Sequence, residues 1–248
     1  MNYTNSPYKD IPVELLEKYN MCGTIPILSW WLDGTGDLEQ KTWDDEYLNI
    51  WIANFTIHNI NNNIQGWEPY PGTAKLLLQS FLQYNINNKN IAVIGSIHPW
   101  IEAILLNLNN NITTVEYNPP IVITNKKLTS ISYINFENTI EKYDVIVSFS
   151  SIEHSGLGRY GDPLDPDGDI KTMKCIYEKL MNNGLLIIGI PVGHDALVWN
   201  VHRVYGKIRL PLLFQNFKEL KWIGFDKNLL LNAKLESNGI QPVIVLQK

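Results

Sequence analysis

The chain has 248 residues, 45% of them hydrophobic and 18% charged, with a formal net charge of −5. That apolar share is enough to bury a core, which excludes disorder over most of the chain, and the length fits one α/β domain or a core domain with an added cap. No block of Lys and Arg occurs, which argues against duplex DNA or an anionic membrane as partner, and Cys22 and Cys175 form no CxxC pair, so neither a disulfide framework nor a cysteine zinc site organises the fold.

The first residues have no basic stretch followed by an apolar one, and the longest apolar run, 185–192, is too short to span a membrane. A cytoplasmic protein is expected, and the glycosylation-like triplets at 54–56 and 111–113 are read as products of an Asn-rich chain. Asn clusters at 61–63, 85–90, 109–111 and 182–183 sit between regular segments and mark loops.

In chain order, 45–60 carries apolar residues near helical spacing, and 72–84 reads as a second helix with Pro71 and Gly72 at its start. Residues 1–88 are therefore expected to form a helical cap and N-terminal extension. From 90 the pattern changes. Residues 90–95 read as a buried parallel strand, 99–108 as a helix, and 113–117, 130–134 and 144–149 as further strands. A helix over 170–181 with Asp169 as its cap precedes the most apolar strand, 184–190. Strands at 220–225 and 242–246 complete seven. Strands alternating with helices imply right-handed crossovers and a mostly parallel sheet over 89–248.

The chemistry concentrates where strands end. Gly95 closes the first strand and a helix follows within a few residues, which lets a ligand approach backbone and free N–H groups. Glu116 ends the second strand about twenty residues later, where a carboxylate accepts from both ribose hydroxyls of a bound nucleoside. The strand 144–149 runs into a polar loop that points His154 at the cleft, with a neutral imidazole near pH 7.

The strings IAVIGS, TTVEYN, YDVIVSFSSIEH and NNGLLIIGIPVG, in that order, resemble class I S-adenosylmethionine-dependent methyltransferases. The likeness covers about 90–248 and implies their Rossmann-like α/β fold, with S-adenosylmethionine as cofactor. A narrower likeness, through GSIHPWIEA, SSIEHSGLGRYGDPLDPDGD and WNVHRVYGKIRLPLLF, is to a methyltransferase-like family linked with surface-carbohydrate gene clusters. The resemblance implies methionine and ribose near Gly95 and Ser96, the ribose hydroxyls on Glu116, and Tyr117 beside the adenine. It also implies that Asn135 and Phe136 flank the adenine and that Ser150 and Ser151 line the methyl-donor side. The chain departs from the family's glycine-rich turn, because Ser96, Ile97 and His98 follow Gly95.

Two further constellations stand apart. Asp162, Asp165, Asp167 and Asp169 fall within eight residues. Their oxygens suit Mg²⁺ or Ca²⁺, but the spacing is not that of an EF-hand, and a Pro/Asp turn with a helix cap, without metal, is the reading adopted. If 195–204 is helical, Asp195, Trp199 and His202 share a face, so that Asp195 orients His202 as an acid/base pair. Arg203 would then clamp a phosphate or carboxylate of the acceptor, and His194 would join His154 and His202 at the same sheet edge. A surface helix with a buried Trp explains the same residues. The aromatics Trp30, Trp31, Trp67, Tyr70 and Tyr160 either stack on a sugar or nucleobase or seal cap to core.

The expected activity is methyl transfer from S-adenosylmethionine to a sugar hydroxyl of a carbohydrate intermediate in surface-polysaccharide assembly. His154 is the first base and His202 with Asp195 the second. The expected partner is a small-molecule or carbohydrate acceptor, with no nucleic acid and no membrane span; a homodimer stays open. Two other classes remain. One is an NAD-dependent sugar oxidoreductase or epimerase, against which stand the missing GxGxxG and the absent Tyr-x-x-x-Lys pair. The other is a methyltransferase-like binding module without turnover.

Overall fold

Local chemistry places the boundaries. In a computed structural model, which describes residues 9–29, 40–62, 66–236 and 238–248, the pattern at 45–60 divides into two helices. Helix α1 (Val13–Tyr19), strands β1 (Ile27–Leu28) and β2 (Thr42–Asp44), and helices α2 (Asp45–Asn54), α3 (Ile57–Asn62) and α4 (Thr73–Gln83) come first. The Asp44 carboxylate accepts the Tyr47 amide at 2.8 Å and starts α2. Thr56 Oγ1 then accepts the Asn59 amide at 3.2 Å and starts α3.

Next come β3 (Asn90–Ile94), α5 (Trp100–Asn107), β4 (Asn111–Glu116), β5 (Ile121–Ile123), β6 (Leu128–Ser132), α6 (Tyr133–Asn138), β7 (Tyr143–Phe149) and a single 3-10 turn at Ile152–His154. They are followed by α7 (Gly168–Lys179), β8 (Leu180–Gly189), β9 (Ala196–Val198), β10 (His202–Val204), α8 (Arg209–Leu213), β11 (Lys218–Ile223), α9 (Lys227–Leu231) and β12 (Val243–Gln247).

The expected seven-stranded, mostly parallel sheet is present, in the order β11-β12-β8-β7-β3-β4-β6. Strand β12 runs antiparallel to both its neighbours, and the other pairings are parallel. The chain builds outward from β3 in one direction through β4 and β6, and in the other through β7 and β8. That reversal opens a crevice at the carboxyl ends of β3 and β7, where ligands bind in sheets of this kind. The sheet is apolar on both faces. One face packs against α2, α4 and α5, so Trp43, Leu48, Leu77 and Phe81 share a core with Ile91, Val93, Val145 and Val147. The other face holds Ala92, Ile146, Leu186, Ile188, Met173, Ile176 and Tyr205.

The helix expected over 195–204 is not formed. The segment is a hairpin: β10 pairs antiparallel with β9, and β9 pairs in parallel with β1 far away in the chain. Ala196, Leu197 and Val198 are all buried, which a surface helix would not allow. Asn200 adopts φ +51°, and the Val201 amide returns to the Val198 carbonyl at 2.9 Å, closing a turn in place of a helical rung. The third strand also ends earlier than expected, because Ser132 caps α6 by accepting the Asn135 amide at 3.3 Å. Trp30 and Trp31 lie outside the described residues. No helix among the described residues is long and apolar enough to cross a membrane.

Candidate functional site

A cavity of about 640 Å³ opens at the carboxyl ends of β3, β4 and β7. Its floor is the turn from β3 into α5. Gly95 has φ +82°, and a Cβ there would overlap the side chain of Ser151 from the next strand's turn, so the position needs glycine. The Gly95 amide donates to the Val115 carbonyl at 3.1 Å, and the Ser96 amide donates to the Glu116 carboxylate. Glu116 thus closes the tip of β4 onto the tip of β3, and burial pushes its pKa up to about 7 against the amide hydrogen bonds.

Beneath this turn lies a second acid. Glu102 of α5 is fully buried; it accepts from Ser96 Oγ at 2.9 Å and from Thr114 Oγ1 at 2.8 Å. Burial pushes it up to about 7 as well. Across the crevice, Ser150 holds φ +51°, donates its amide to the Gly189 carbonyl at 2.9 Å, and accepts at Oγ from Gln241 Nε2 at 3.2 Å. His98 lines the same space, with Nδ1 2.9 Å from the Tyr47 hydroxyl and its ring stacked 5.5 Å from Trp51. Burial, then the Lys41 charge, lower its pKa.

The far half of the cavity is built by the loop after β7. His154 Nδ1 lies 2.5 Å from the Val201 carbonyl, which assigns the proton to Nδ1 and leaves Nε2 as an acceptor. Burial drives its pKa down to about 3, opposed by the Val201 contact. Its ring meets Tyr160 at 5.4 Å and His202 at 6.4 Å, both edge to face. Next to it Glu153 is fully buried, and among the described residues neither carboxyl oxygen has a hydrogen-bond partner. Burial pushes it up to about 8.

Of the residues singled out above, the cavity brings together Tyr70, Gly95, Ser96, Glu116, Tyr117, Ser150, Ser151, His154, Tyr160, Asp162 and His202. Asn135, Phe136, His194, Asp195 and Arg203 do not line it. Phe136 is fully buried in the core below the sheet, and Asn135 is exposed on α6; Tyr117 instead stacks 5.1 Å from Tyr133. Asp195 does not orient His202. Its carboxylate accepts the amides of Gly206, Ile208 and Arg209, each at 2.9 Å, and so shapes the loop before α8. His194 sits exposed beside the neighbouring Asp195 carbonyl at 3.0 Å. Arg203 is not an acceptor clamp. It is buried and donates to the carbonyls of Glu153, Ser155, Asp165 and Pro166, with Asp169 3.6 Å from its Nε.

The Asp-rich loop spends its carboxylates separately. Asp162 accepts the amides of Gly156, Gly158 and Tyr160, while Asp165 pairs with Lys171 at 2.5 Å. Asp169 lies inside α7 instead of capping it. It pairs with Arg209 at 2.5 Å and accepts from Tyr205 at 3.0 Å. Among the described residues no group of three or more His, Cys, Asp or Glu converges as a metal site would.

Sequence reasoning missed Glu102, Glu153, Arg159 and Gln241, and named His98 only as a bulky residue of the turn after Gly95. Glu102 had a visible signal, an acid amid the apolar run of α5. Arg159 and Gln241 had none, since they reach the cavity from a loop and from the approach to β12.

The fold is similar to those of solved methyltransferases. One from Burkholderia thailandensis, 1,6-didemethyltoxoflavin-N1-methyltransferase with bound 1,6-didemethyltoxoflavin and S-adenosylhomocysteine, is 12% identical at a TM-score of 0.55, over 82% of this chain and 89% of that one. The N-methyltransferase NodS of Bradyrhizobium japonicum, in complex with S-adenosylhomocysteine, is 13% identical at a TM-score of 0.46, over 82% and 97%. The first of these likenesses shows the fold, the Rossmann-like one of S-adenosylmethionine-dependent methyltransferases. No curated protein matches the chain. The chain belongs to the family described as Caenorhabditis protein of unknown function, DUF268, whose model matches residues 88–243.

Proposed function

We propose that the protein is an S-adenosylmethionine-dependent methyltransferase that methylates a hydroxyl oxygen of a sugar, in a nucleotide-sugar or glycan intermediate of surface-polysaccharide assembly. The observation that carries this reading is the pairing of Gly95 and Ser96 with Glu116 across the tips of adjacent strands, facing a cavity of about 640 Å³. That volume lies within the ordinary range for small-molecule sites. The residues suit the cofactor: a backbone at Gly95 stripped of Cβ, and an acid at the strand tip for two vicinal hydroxyls. The sugar acceptor follows from the family resemblance in the sequence.

S-adenosylmethionine, when bound, supplies an electrophilic methyl group on a sulfonium sulfur. The work of the chain is to hold the two reactants in line and keep water out. Orientation of this kind can lower a barrier by about 7–11 kcal/mol. Glu116 accepts from the ribose hydroxyls in its ionised form, and Ser150 and Ser151 border the donor side. A hydroxyl acceptor must lose its proton as it attacks, a step where a positioned base contributes roughly 10²–10⁴-fold. With a pKa near 3, His154 holds a proton poorly, so His202, half-buried on the same wall, takes the base role ahead of it. His154 instead offers Nε2 as a fixed acceptor that orients the hydroxyl.

Calorimetry tests the reading. S-adenosylhomocysteine should bind, NAD should not, and Glu116→Ala should weaken the binding at least tenfold. Binding of NAD in preference, or unchanged affinity in the variant, would overturn it.

A further inference from the structure

Part of the cavity wall comes from outside the stretch 88–243 that the family model matches. Lys41, next to β2, and Trp43 within it line the cavity together with His98 from the turn after β3. Helix α2 holds His98 in place: the Tyr47 hydroxyl lies 2.9 Å from Nδ1, and Trp51 stacks on the ring at 5.5 Å with 18° between the planes. Those two contacts fix the ring and leave Nε2 for the cavity. With the Tyr47 hydroxyl donating to Nδ1, Nε2 carries the ring proton and is a donor.

The charge at this wall is of one sign. Lys41 makes no ion pair among the described residues, and its ammonium is near enough to His98 to add to the lowering of the ring's pKa by burial. The two acids that line the cavity are engaged elsewhere, Glu116 by the Ser96 amide and Asp162 by three amides of its own loop. The amides of Ile97 and His98, just ahead of α5, donate to no group among the described residues. An ammonium and an imidazole with no acid between them repel when the ring is charged, and both attract an oxyanion.

We propose that Lys41 and His98 form an oxyanion subsite that takes the methionine carboxylate of S-adenosylmethionine, so that the N-terminal cap completes the cofactor site. That the anion belongs to the cofactor rests on the methyltransferase reading: His98 stands in the same turn as Gly95 and Ser96, and the carboxylate is the cofactor's one anionic group. Lys41 supplies the charge and His98 a directed N–H, the two parts of a charge-assisted pair.

The test is calorimetry on the full chain with two probes, S-adenosylhomocysteine and 5′-methylthioadenosine, which keeps the adenosine and the thioether but lacks the amino-acid end. Lys41→Met and His98→Phe should each weaken S-adenosylhomocysteine about fivefold or more, as the loss of a hydrogen bond to a charged group does. Methylthioadenosine affinity should stay within about twofold in both variants, which also controls for folding. Lys41→Arg should keep most of the S-adenosylhomocysteine affinity, because the charge is kept. In the wild type, raising NaCl from about 0.05 M to about 0.5 M should weaken S-adenosylhomocysteine more than methylthioadenosine, and Lys41→Met should remove that difference. Equal losses for the two probes, a selective loss in only one of the two variants, or unchanged S-adenosylhomocysteine affinity in both would overturn the subsite and leave the methyltransferase reading standing. A wild-type chain that does not bind S-adenosylhomocysteine would overturn both.

Discussion

Glu102→Gln should make the protein more stable at pH 8 and leave it nearly unchanged at pH 5. The Glu102 carboxyl has no exposed surface, and burial moves its pKa from 4.5 to about 7. Between those values the folded chain binds more protons than the unfolded one, so stability falls as pH rises through the window and the loss is complete above about 7. At about 1.4 kcal/mol per pH unit, the ionised acid costs on the order of 3 kcal/mol. A glutamine never charges. Its Oε1 can accept from Thr114 Oγ1, and its Nε2 can donate to Ser96 Oγ, whose proton already has the His98 carbonyl 3.0 Å away. At pH 8 the variant should melt higher by roughly 6–12 °C, at about 2–4 °C per kcal/mol for a chain of this size. Thermal and urea unfolding at the two pH values measure it. A wild-type-to-variant difference equal at pH 5 and pH 8 would refute the idea that Glu102 is a buried acid charged at the expense of stability.

Three other outcomes are expected. Asp169→Ala removes a buried carboxylate shared by Arg209, Arg203 and Tyr205, and should cost about 3–5 kcal/mol at pH 7 in urea unfolding. Because the surrounding arginines hold the Asp169 pKa below the ordinary carboxylate value, despite burial, its contribution is present above about pH 4 and the gap to the variant should close in acid. Gly95→Ala, at φ +82° and against Ser151, should lower S-adenosylhomocysteine affinity at least tenfold by calorimetry while the fold, read by circular dichroism, is retained. Once an acceptor is in hand, His202→Ala should lower turnover by roughly 10²-fold or more with little change in cofactor affinity. A rate within a fewfold of wild type would remove His202 as base.

The fold was legible because its signal is local. Buried parallel strands must be apolar on both faces, so the runs around 90–95, 144–149 and 184–190 announce themselves, and the turn residues between them fix how many crossovers fit. Gly95, Ser96 and Glu116 were legible for the same reason: each sits where a strand ends, and strand ends on one edge of a parallel sheet meet. The spacing of Asp195, Trp199 and His202 misled because period alone does not separate a helix from a hairpin when the pairing strand, Ile27–Leu28, lies far off in the chain. Nor does sequence say where a charge is spent. Arg203 and Arg159 look alike in one dimension, yet one is surrounded by carbonyls brought from 153–166 and the other lines a cavity. Strand content and the turn after β3 follow from nearest-neighbour sterics and burial, which the chain carries by itself. Which histidine, arginine or acid faces the cavity depends on contacts between segments tens of residues apart, and only the folded arrangement decides those.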